Sequence, residues 1–277
     1  MKKSVSTIVK KKIIDCFTFF DEHELLMYRL NLLNDVVDKF ILVEATHTHR
    51  GNPKPLHFDE KKHLYTDFMP KIVHIIVDDF PFPYSNLNLE KNEQWANEMY
   101  QRRCIEKGLE KLNLSPNDLF TVTDLDEIPD PKTLYDIKNG NGRTTVTIQC
   151  LEMDFYYYNL HTRHRRKWYH PKICNYQSYK NYGKHVDEIR MTQFHPIQKG
   201  GWHLSYFGDK YRIQAKINRC LHTELSLERH NDLDKIESNM KNHRDLYGRP
   251  EEVFENIPNE ANTYLPTGYE TFIPEFM

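Results

Sequence analysis

The sequence predicts an α/β protein with an open, mostly parallel sheet and helices on both faces. Apolar segments recur at 13–20, 39–44, 71–78 and 118–124. They lack the apolar-polar alternation of a sheet with one face in water, which indicates parallel strands buried on both faces. Segments with apolar residues at helical spacing separate them at 21–37 and 90–112. Strand, helix and strand in succession form a βαβ unit, so we expect a doubly wound, Rossmann-like sheet.

The first strand and helix illustrate the pattern. Residues 13–20, IIDCFTFF, are β-branched and aromatic, and a lysine run and an acidic pair flank them. The following segment begins with acidic residues, as helix N-termini favour, and places Leu26, Arg29 and Leu30 at helical spacing. The second strand then ends at Glu44.

The second half of the chain is less regular in sequence. We predict strands at 144–151 and 155–159 and irregular structure from about Arg163. Late helices are expected at 208–220 and 232–246, followed by a proline-rich tail from Pro250. The 277 residues suit a single domain, although two small ones would also fit the length.

The composition excludes several classes of protein. A formal net charge of −2 argues against a nucleic-acid-binding protein. The chain has no apolar run of the roughly 20 residues that a membrane span needs, and we interpret its basic start as leading into a strand. The five cysteines form no CxxC pair and predict reduced, buried thiols: Cys16, Cys104, Cys150, Cys174 and Cys220. A soluble, cytoplasmic protein is the resulting expectation.

An acidic turn follows the fourth strand in the segment TVTDLDEIP. Asp124 and Asp126 are spaced so that both carboxylates can converge on one cation at the carboxyl edge of the sheet. Oxygen ligands suit Mn²⁺ or Mg²⁺, which typically bind one or two carboxylates and substrate phosphates. A solvated turn or a helix cap is the alternative, although Pro129 and Pro131 disfavour a helix directly after the motif.

Four segments resemble glycosyltransferase family 17. They are VVDKFILVEATHTHRGNPKPL at 36–56, RRCIEKGL at 102–109, TDLDEIP at 123–129 and GGWHLSYF at 200–207. The resemblance extends from about residue 13 to about residue 225. It implies a GT-A-type fold, a UDP-N-acetylglucosamine donor, a divalent metal and inversion at the sugar. The nucleotide-sugar half would be about 13–130, and the acceptor half with the tail about 131–277.

The resemblance also suggests site residues. Asp124 and Asp126 match the family's DxD motif as metal ligands, and Asp124 could instead contact the ribose. Glu127 is a candidate catalytic residue, or it pairs with a nearby base. His203 could be a metal ligand, could bind the donor diphosphate or could be a core histidine, and Trp202 could stack on a sugar.

Three more residues are candidates for donor binding. Glu44 and Lys54 lie in the loop after the second strand, where Lys54 could meet a phosphate or the pair could form a structural salt bridge. Arg103 could bind a phosphate or the acidic turn. Neighbours on a helix point about 100° apart, so only one of Arg102 and Arg103 should face the cleft.

Inverting transfer needs a base for the acceptor hydroxyl, normally a carboxylate. We choose Asp154, with four further candidates: Glu152, Asp187, Glu188 and Asp209. The partners would be a UDP-sugar and a glycan or glycoprotein. Transfer from another UDP-sugar, a non-catalytic glycan-binding module and a nucleotidyl- or phosphotransferase remain alternatives. A P-loop is absent from the sequence, which removes the commonest form of the last.

Overall fold

A computed structural model of the chain describes residues 11–141, 146–219 and 230–272. Its strands are β1 (Ile13–Phe19), β2 (Lys39–Ala45), β3 (Ile72–Val77), β4 (Leu119–Asp124), β5 (Glu127–Pro129), β6 (Ile148–Tyr157), β7 (Thr162–His164), β8 (Lys172–Asn175), β9 (Pro196–Ser205) and β10 (Phe254–Asn256). Its helices are α1 (His23–Leu33), α2 (His57–Lys61), α3 (Glu93–Arg103), α4 (Ile105–Glu110), α5 (Pro131–Asn139), α6 (Tyr176–Tyr182), α7 (Val186–Met191), α8 (Lys210–Arg219), α9 (Leu233–Lys241) and α10 (Tyr269–Phe272).

The first four of these strands form the predicted parallel sheet, in the order β3-β2-β1-β4. Alternate residues of β1 enter two separate cores. Ile13 and Phe17 pack with α1 on one face, while Ile14 and Cys16 pack with α4 on the other. Helices therefore cover both faces, and the predicted α/β class is confirmed.

The second half continues the same sheet with mixed directions. β8 is antiparallel to both β4 and β6, whereas β9 runs parallel to β6. The prediction of irregular structure from Arg163 was wrong, because β7, β8, α6, α7 and β9 occupy this region. Polar residues such as Lys172 and His203 are buried there, which interrupts the apolar pattern that would mark a strand.

Helix α5 corrects the expectation that no helix directly follows the acidic turn. It begins at Pro131, and the Asp130 side chain accepts a hydrogen bond from the backbone N–H of Lys132. Proline at the first helical position loses no helical hydrogen bond, so it favours a start that it would prevent one turn later. This cap uses Asp130 and leaves Asp124 and Asp126 outside the helix.

Gly201 allows β9 to lie against β5. Its φ is +142°, and a Cβ atom there would lie 2.1 Å from the carbonyl oxygen of Ile128.

We predict that Gly201→Ala lowers the free energy of unfolding by at least about 2 kcal/mol, as judged by urea denaturation. Gly140→Ala is the control, since that glycine also has positive φ but open space around it, and should cost only about 1 kcal/mol. Equal losses would show that crowding at β5 has no part.

Two further expectations from the sequence concern the cysteines and membrane-spanning segments. Cys16, Cys104, Cys150 and Cys174 are buried free thiols, as expected. Cys220 lies outside the described residues. Within the described ranges, every helix is too short or too polar to cross a bilayer.

Candidate active site

The acidic turn lies at the carboxyl edge of the parallel strands. Asp124 ends β4 next to Thr18 at the end of β1. The turn then leads into β5, which pairs with β9 so that Glu127 lies opposite His203. Two segments about eighty residues apart, TDLDEIP and GGWHLSYF, therefore meet at one place in the fold.

Arg29 fixes the backbone of this turn from beneath. One guanidinium nitrogen donates to the carbonyl oxygens of Asp124, Leu125 and Glu127, each at 2.9 Å. The other two nitrogens donate to the Asp15 carboxylate at 2.8 Å. Both side chains are fully buried, so the turn is anchored to β1 and α1 without contact with solvent.

Asp124 is held between two arginines. Arg102 donates to one of its carboxylate oxygens at 2.9 Å and Arg190 to the other at 2.8 Å. Burial raises the pKa of Asp124, but the two guanidinium groups outweigh it and hold the pKa well below its usual value. Asp124 is thus an ionised carboxylate with both oxygens engaged, which argues against a direct metal bond.

Glu127 is buried and fully hydrogen-bonded. Its oxygens accept from the Trp168 indole at 2.6 Å, from both terminal nitrogens of Arg190 at 2.6 and 2.7 Å, and from the Asp124 backbone N–H at 2.7 Å. A carboxylate so engaged cannot reach an acceptor hydroxyl. The structure therefore supports the alternative that Glu127 pairs with a nearby basic residue. Glu127 positions Trp168 and Arg190 and does not have the catalytic role proposed from sequence.

Asp126 faces His203 and Lys216. One carboxylate oxygen lies 3.6 Å from Nε2 of His203, and the other accepts a hydrogen bond from the Lys216 ammonium at 3.1 Å. Lys216 also lies 3.8 Å from the carboxylate of Glu22, which follows β1. This cluster of opposite charges joins α8 to the edge of the sheet.

The His203 imidazole packs against two aromatic rings that also contact each other. Phe155 stacks on it nearly parallel at 4.6 Å, and Trp168 contacts it at 4.6 Å. Burial lowers the pKa of His203, against the opposing effect of the Asp126 carboxylate, so the ring is neutral at physiological pH. Its buried Nδ1 has no hydrogen-bond partner in the described part of the chain.

These residues can be compared with what a divalent ion requires. Within the described ranges, no three His, Cys, Asp or Glu side chains are placed to hold a metal. Asp126 with neutral His203 supplies two ligands, which fits Mn²⁺ or Mg²⁺ completed by diphosphate oxygens. Lys216 now bonds the same carboxylate and would have to yield to an ion there.

Trp202 and Asp154 lie on the wrong face for their predicted roles. GGWHLS is part of strand β9 and not of the irregular structure expected there, and successive strand residues point to opposite faces. His203 therefore faces the site, while Trp202 enters the core and donates its indole N–H to the Tyr264 carbonyl at 3.1 Å. Asp154 pairs with Trp202 in register and bonds Lys167. It lines a separate cavity and cannot serve as the base at Asp126.

The three residues proposed to bind the sugar donor form bonds with other groups of the protein. Glu44 is fully buried, accepts from the Phe58 backbone N–H at 3.1 Å and pairs with Lys54 at 3.5 Å. The salt-bridged turn is therefore the better account of this pair. Arg103 forms a bidentate pair with Asp187, and its neighbour Arg102 reaches the acidic turn instead.

The remaining base candidates also have structural partners. Asp187 is held by Arg103, Glu188 accepts from the backbone N–H of His185 at the start of α7, and Asp209 caps α8 through Arg212. Glu152 bonds the Tyr169 hydroxyl. Each of these four carboxylates is therefore already hydrogen-bonded within the protein.

Sequence reasoning missed four residues that build the site: Arg29, Trp168, Arg190 and Lys216. Arg29 gave a signal, since it is a charged residue on the otherwise apolar face of the first helix. Trp168 and Arg190 lie in the region expected to be irregular, and Lys216 lies in a predicted helix whose place relative to the sheet the sequence does not indicate. Only tertiary contacts bring these three residues to the acidic turn.

Two cavities flank the site. A cavity of about 450 Å³ lies beyond the ends of β1 and β2, and Phe20, His23, His49, Tyr206 and Lys216 are among its lining residues. Its walls are largely apolar or aromatic, as in many small-molecule sites. A larger groove of about 1,070 Å³ begins on the other side of His203 and Tyr206.

The fold and site define an α/β protein with an acidic turn at the carboxyl edge of its parallel strands, between two cavities. A model of glycosyltransferase family 17 matches residues 4–266. The chain belongs to this family.

Curated relatives carry a more specific name. Beta-1,4-mannosyl-glycoprotein 4-beta-N-acetylglucosaminyltransferase from Rattus norvegicus is 25% identical over 301 residues, and the Mus musculus protein of that name is 26% identical over 299. Both alignments cover 95% of this chain and 54% of the relative, so the chain spans about half their length. A solved structure titled 4-diphosphocytidyl-2C-methyl-D-erythritol synthase matches at 14% identity with a TM-score of 0.37, over 77% of this chain and 99% of that chain, which is too distant to support an argument.

Proposed function

We propose that this chain is an inverting glycosyltransferase that moves N-acetylglucosamine from UDP-N-acetylglucosamine to a glycan hydroxyl. Family membership and the names of the curated relatives support the reaction class. The observation that carries the proposal is the pairing of Asp126 with neutral His203 between two cavities. A donor in one cavity and an acceptor in the other would meet at this pair.

The cavity beside β1 is the proposed donor site. Its position beyond the carboxyl ends of parallel strands is where α/β proteins bind nucleotides. Phe20 and His23 offer flat rings to a base, and Lys216 offers a cation to the diphosphate. Asp124, on the same edge, keeps 30% of its side chain exposed and could accept from a ribose hydroxyl.

Asp126 and His203 are the proposed ligands of Mn²⁺ or Mg²⁺. Such an ion would neutralise charge on the diphosphate leaving group. The chain's own contribution is to hold these two groups in place. Arg29 fixes the turn backbone, and Phe155 and Trp168 fix the imidazole plane.

The test is UDP release from a panel of UDP-sugars, with Mn²⁺, with Mg²⁺ and with chelator. Release from UDP-N-acetylglucosamine that depends on a divalent ion would support donor and metal together. Release from another UDP-sugar would correct the donor, and pyrophosphate release would indicate a nucleotidyltransferase. Glycan binding without any release would indicate a non-catalytic binding module.

Lys216 should contribute to donor affinity. We predict that Lys216→Gln raises the KM for UDP-N-acetylglucosamine about tenfold or more, because a charge-assisted hydrogen bond to the diphosphate is lost. Steady-state UDP release measures KM and kcat separately. Lys235→Gln is the matched control, since Lys235 is exposed on the neighbouring helix α9. An unchanged KM in Lys216→Gln would remove Lys216 from the donor site.

A further inference from the structure

The groove of about 1,070 Å³ is continuous with the site. His203 and Trp168 form part of its wall, and Tyr206 lines both this groove and the donor cavity. A molecule in the groove would therefore lie next to a sugar transferred from the donor cavity. The lining of the groove indicates what kind of acceptor fits there.

The charge of this lining differs from that of the whole chain. The chain carries a formal net charge of −2. The described lining residues include six Lys or Arg side chains but one carboxylate, namely Arg165, Arg166, Lys167, Lys172, Arg190, Arg249 and Glu252. Positive side chains thus outnumber carboxylates among the lining residues, and their ion-pair partners decide where positive charge remains.

Most of these cations have a carboxylate partner. Arg190 is neutralised by Glu127 and Asp124, as described above. Arg166 bonds Glu252 at 2.6 Å, Arg249 bonds Asp245 at 2.7 Å, and Lys167 pairs with Asp154. These pairs shape the wall and leave little net charge.

Arg165 and Lys172 are different. Arg165 is exposed, and the described residues supply no ion pair to it. Lys172 is buried, and its ammonium donates to the carbonyl oxygens of Tyr169 and His170 at 2.9 and 2.8 Å, with no carboxylate among its partners in the described ranges. A buried ammonium without a carboxylate is costly, so a ligand that brings negative charge would stabilise this wall.

Aromatic rings accompany the charges. Trp168, Tyr169, Tyr206 and Tyr247 line the same groove, and the bond from the Trp168 indole to Glu127 fixes one of these rings. Aromatic faces suit the apolar faces of sugar rings. The groove therefore combines stacking surfaces with uncompensated positive charge.

We propose that the acceptor is an acidic glycan, whose carboxylate, sulfate or phosphate group binds the Arg165 side of this groove. Lys172 adds positive potential from the inner wall. The inference rests on the proposed function and assigns the chemical class of its acceptor.

The experiment compares three matched pairs of glycans on the native protein loaded with UDP. They are lactose and sialyllactose, N-acetyllactosamine and its sulfated form, and mannobiose and its phosphorylated form. Calorimetry should show that at least one charged member binds about tenfold or more tightly than its neutral partner. Which pair shows the difference identifies the anionic group.

Salt and mutation test whether Arg165 causes the preference. Raising NaCl from about 0.1 M to about 1 M shortens the screening length from about 10 Å to about 3 Å and should reduce the preference severalfold. Arg165→Gln should reduce it, and Arg165→Glu should abolish it. Lys111→Gln is the control, since Lys111 is exposed and lies outside the groove lining.

Equal binding of charged and neutral glycans would overturn the inference, and the absence of binding to both would overturn it too. So would a preference that survives both Arg165 variants. Binding of UDP-N-acetylglucosamine to the same native protein is measured in parallel. If that binding is present while the charge preference is absent, the inference fails and the proposed function stands. If donor binding is absent, the proposed function fails independently of the glycan result.

Discussion

Asp126→Asn is expected to reduce UDP release from UDP-N-acetylglucosamine about a hundredfold or more. The substitution keeps the size of the side chain but removes the negative charge that faces His203 and Lys216. An amide is a poor ligand for a divalent ion beside a diphosphate, so the charge that develops on the leaving group would be left without its stabilisation. Initial rates with saturating Mn²⁺ give the measurement.

Two comparisons make this result specific. Asp79→Asn is the matched control, because Asp79 is exposed and pairs with Lys107 away from the site. Its rate should stay within about twofold of the native rate. His203→Gln should resemble Asp126→Asn if the two side chains share one ion. Near-native release in Asp126→Asn would exclude Asp126 as the proposed metal ligand.

Arg29→Met should cause the largest loss of stability, about 3–5 kcal/mol of the free energy of unfolding. It leaves the fully buried Asp15 carboxylate unpaired and removes the donor shared by the carbonyl oxygens of Asp124, Leu125 and Glu127. Removing one partner of a buried ion pair typically costs this much. Urea denaturation followed by circular dichroism measures it.

The control and the double variant separate the two contributions. Arg166→Met breaks an ion pair whose arginine is 65% exposed, and it should cost at most about 1 kcal/mol. Asp15→Leu with Arg29→Met removes the unpaired charge and should recover part of the loss, while the carbonyl oxygens of the turn remain without their donor. A loss of less than about 1 kcal/mol for Arg29→Met alone would show that the acidic turn is stable without the Arg29 hydrogen bonds.

The residues that could be predicted from sequence share a local signal. Asp124 and Asp126 follow directly from a strand that ends in an acidic turn, and β1, β2, β3 and β4 follow from apolar segments of the right length. Such patterns depend on neighbours within a few positions, which a single sequence displays. The face of the sheet on which a side chain lies cannot be predicted from such a local pattern unless the segment is known to be a strand. Trp202 and His203 are adjacent and were both proposed as ligands, and only the recognition that β9 is a strand separates them.

By itself, the sequence determined the α/β class, the parallel strands and the place of the acidic turn, because burial on both faces leaves an apolar pattern along the chain. The tertiary structure decided which charges meet there. It brought Arg102 and Arg190 to Asp124 and placed Lys216 beside Asp126, and it set Asp154 on the opposite face. Ion pairs between distant segments depend on the orientation of side chains after folding. The spacing of residues in the sequence does not predict this orientation.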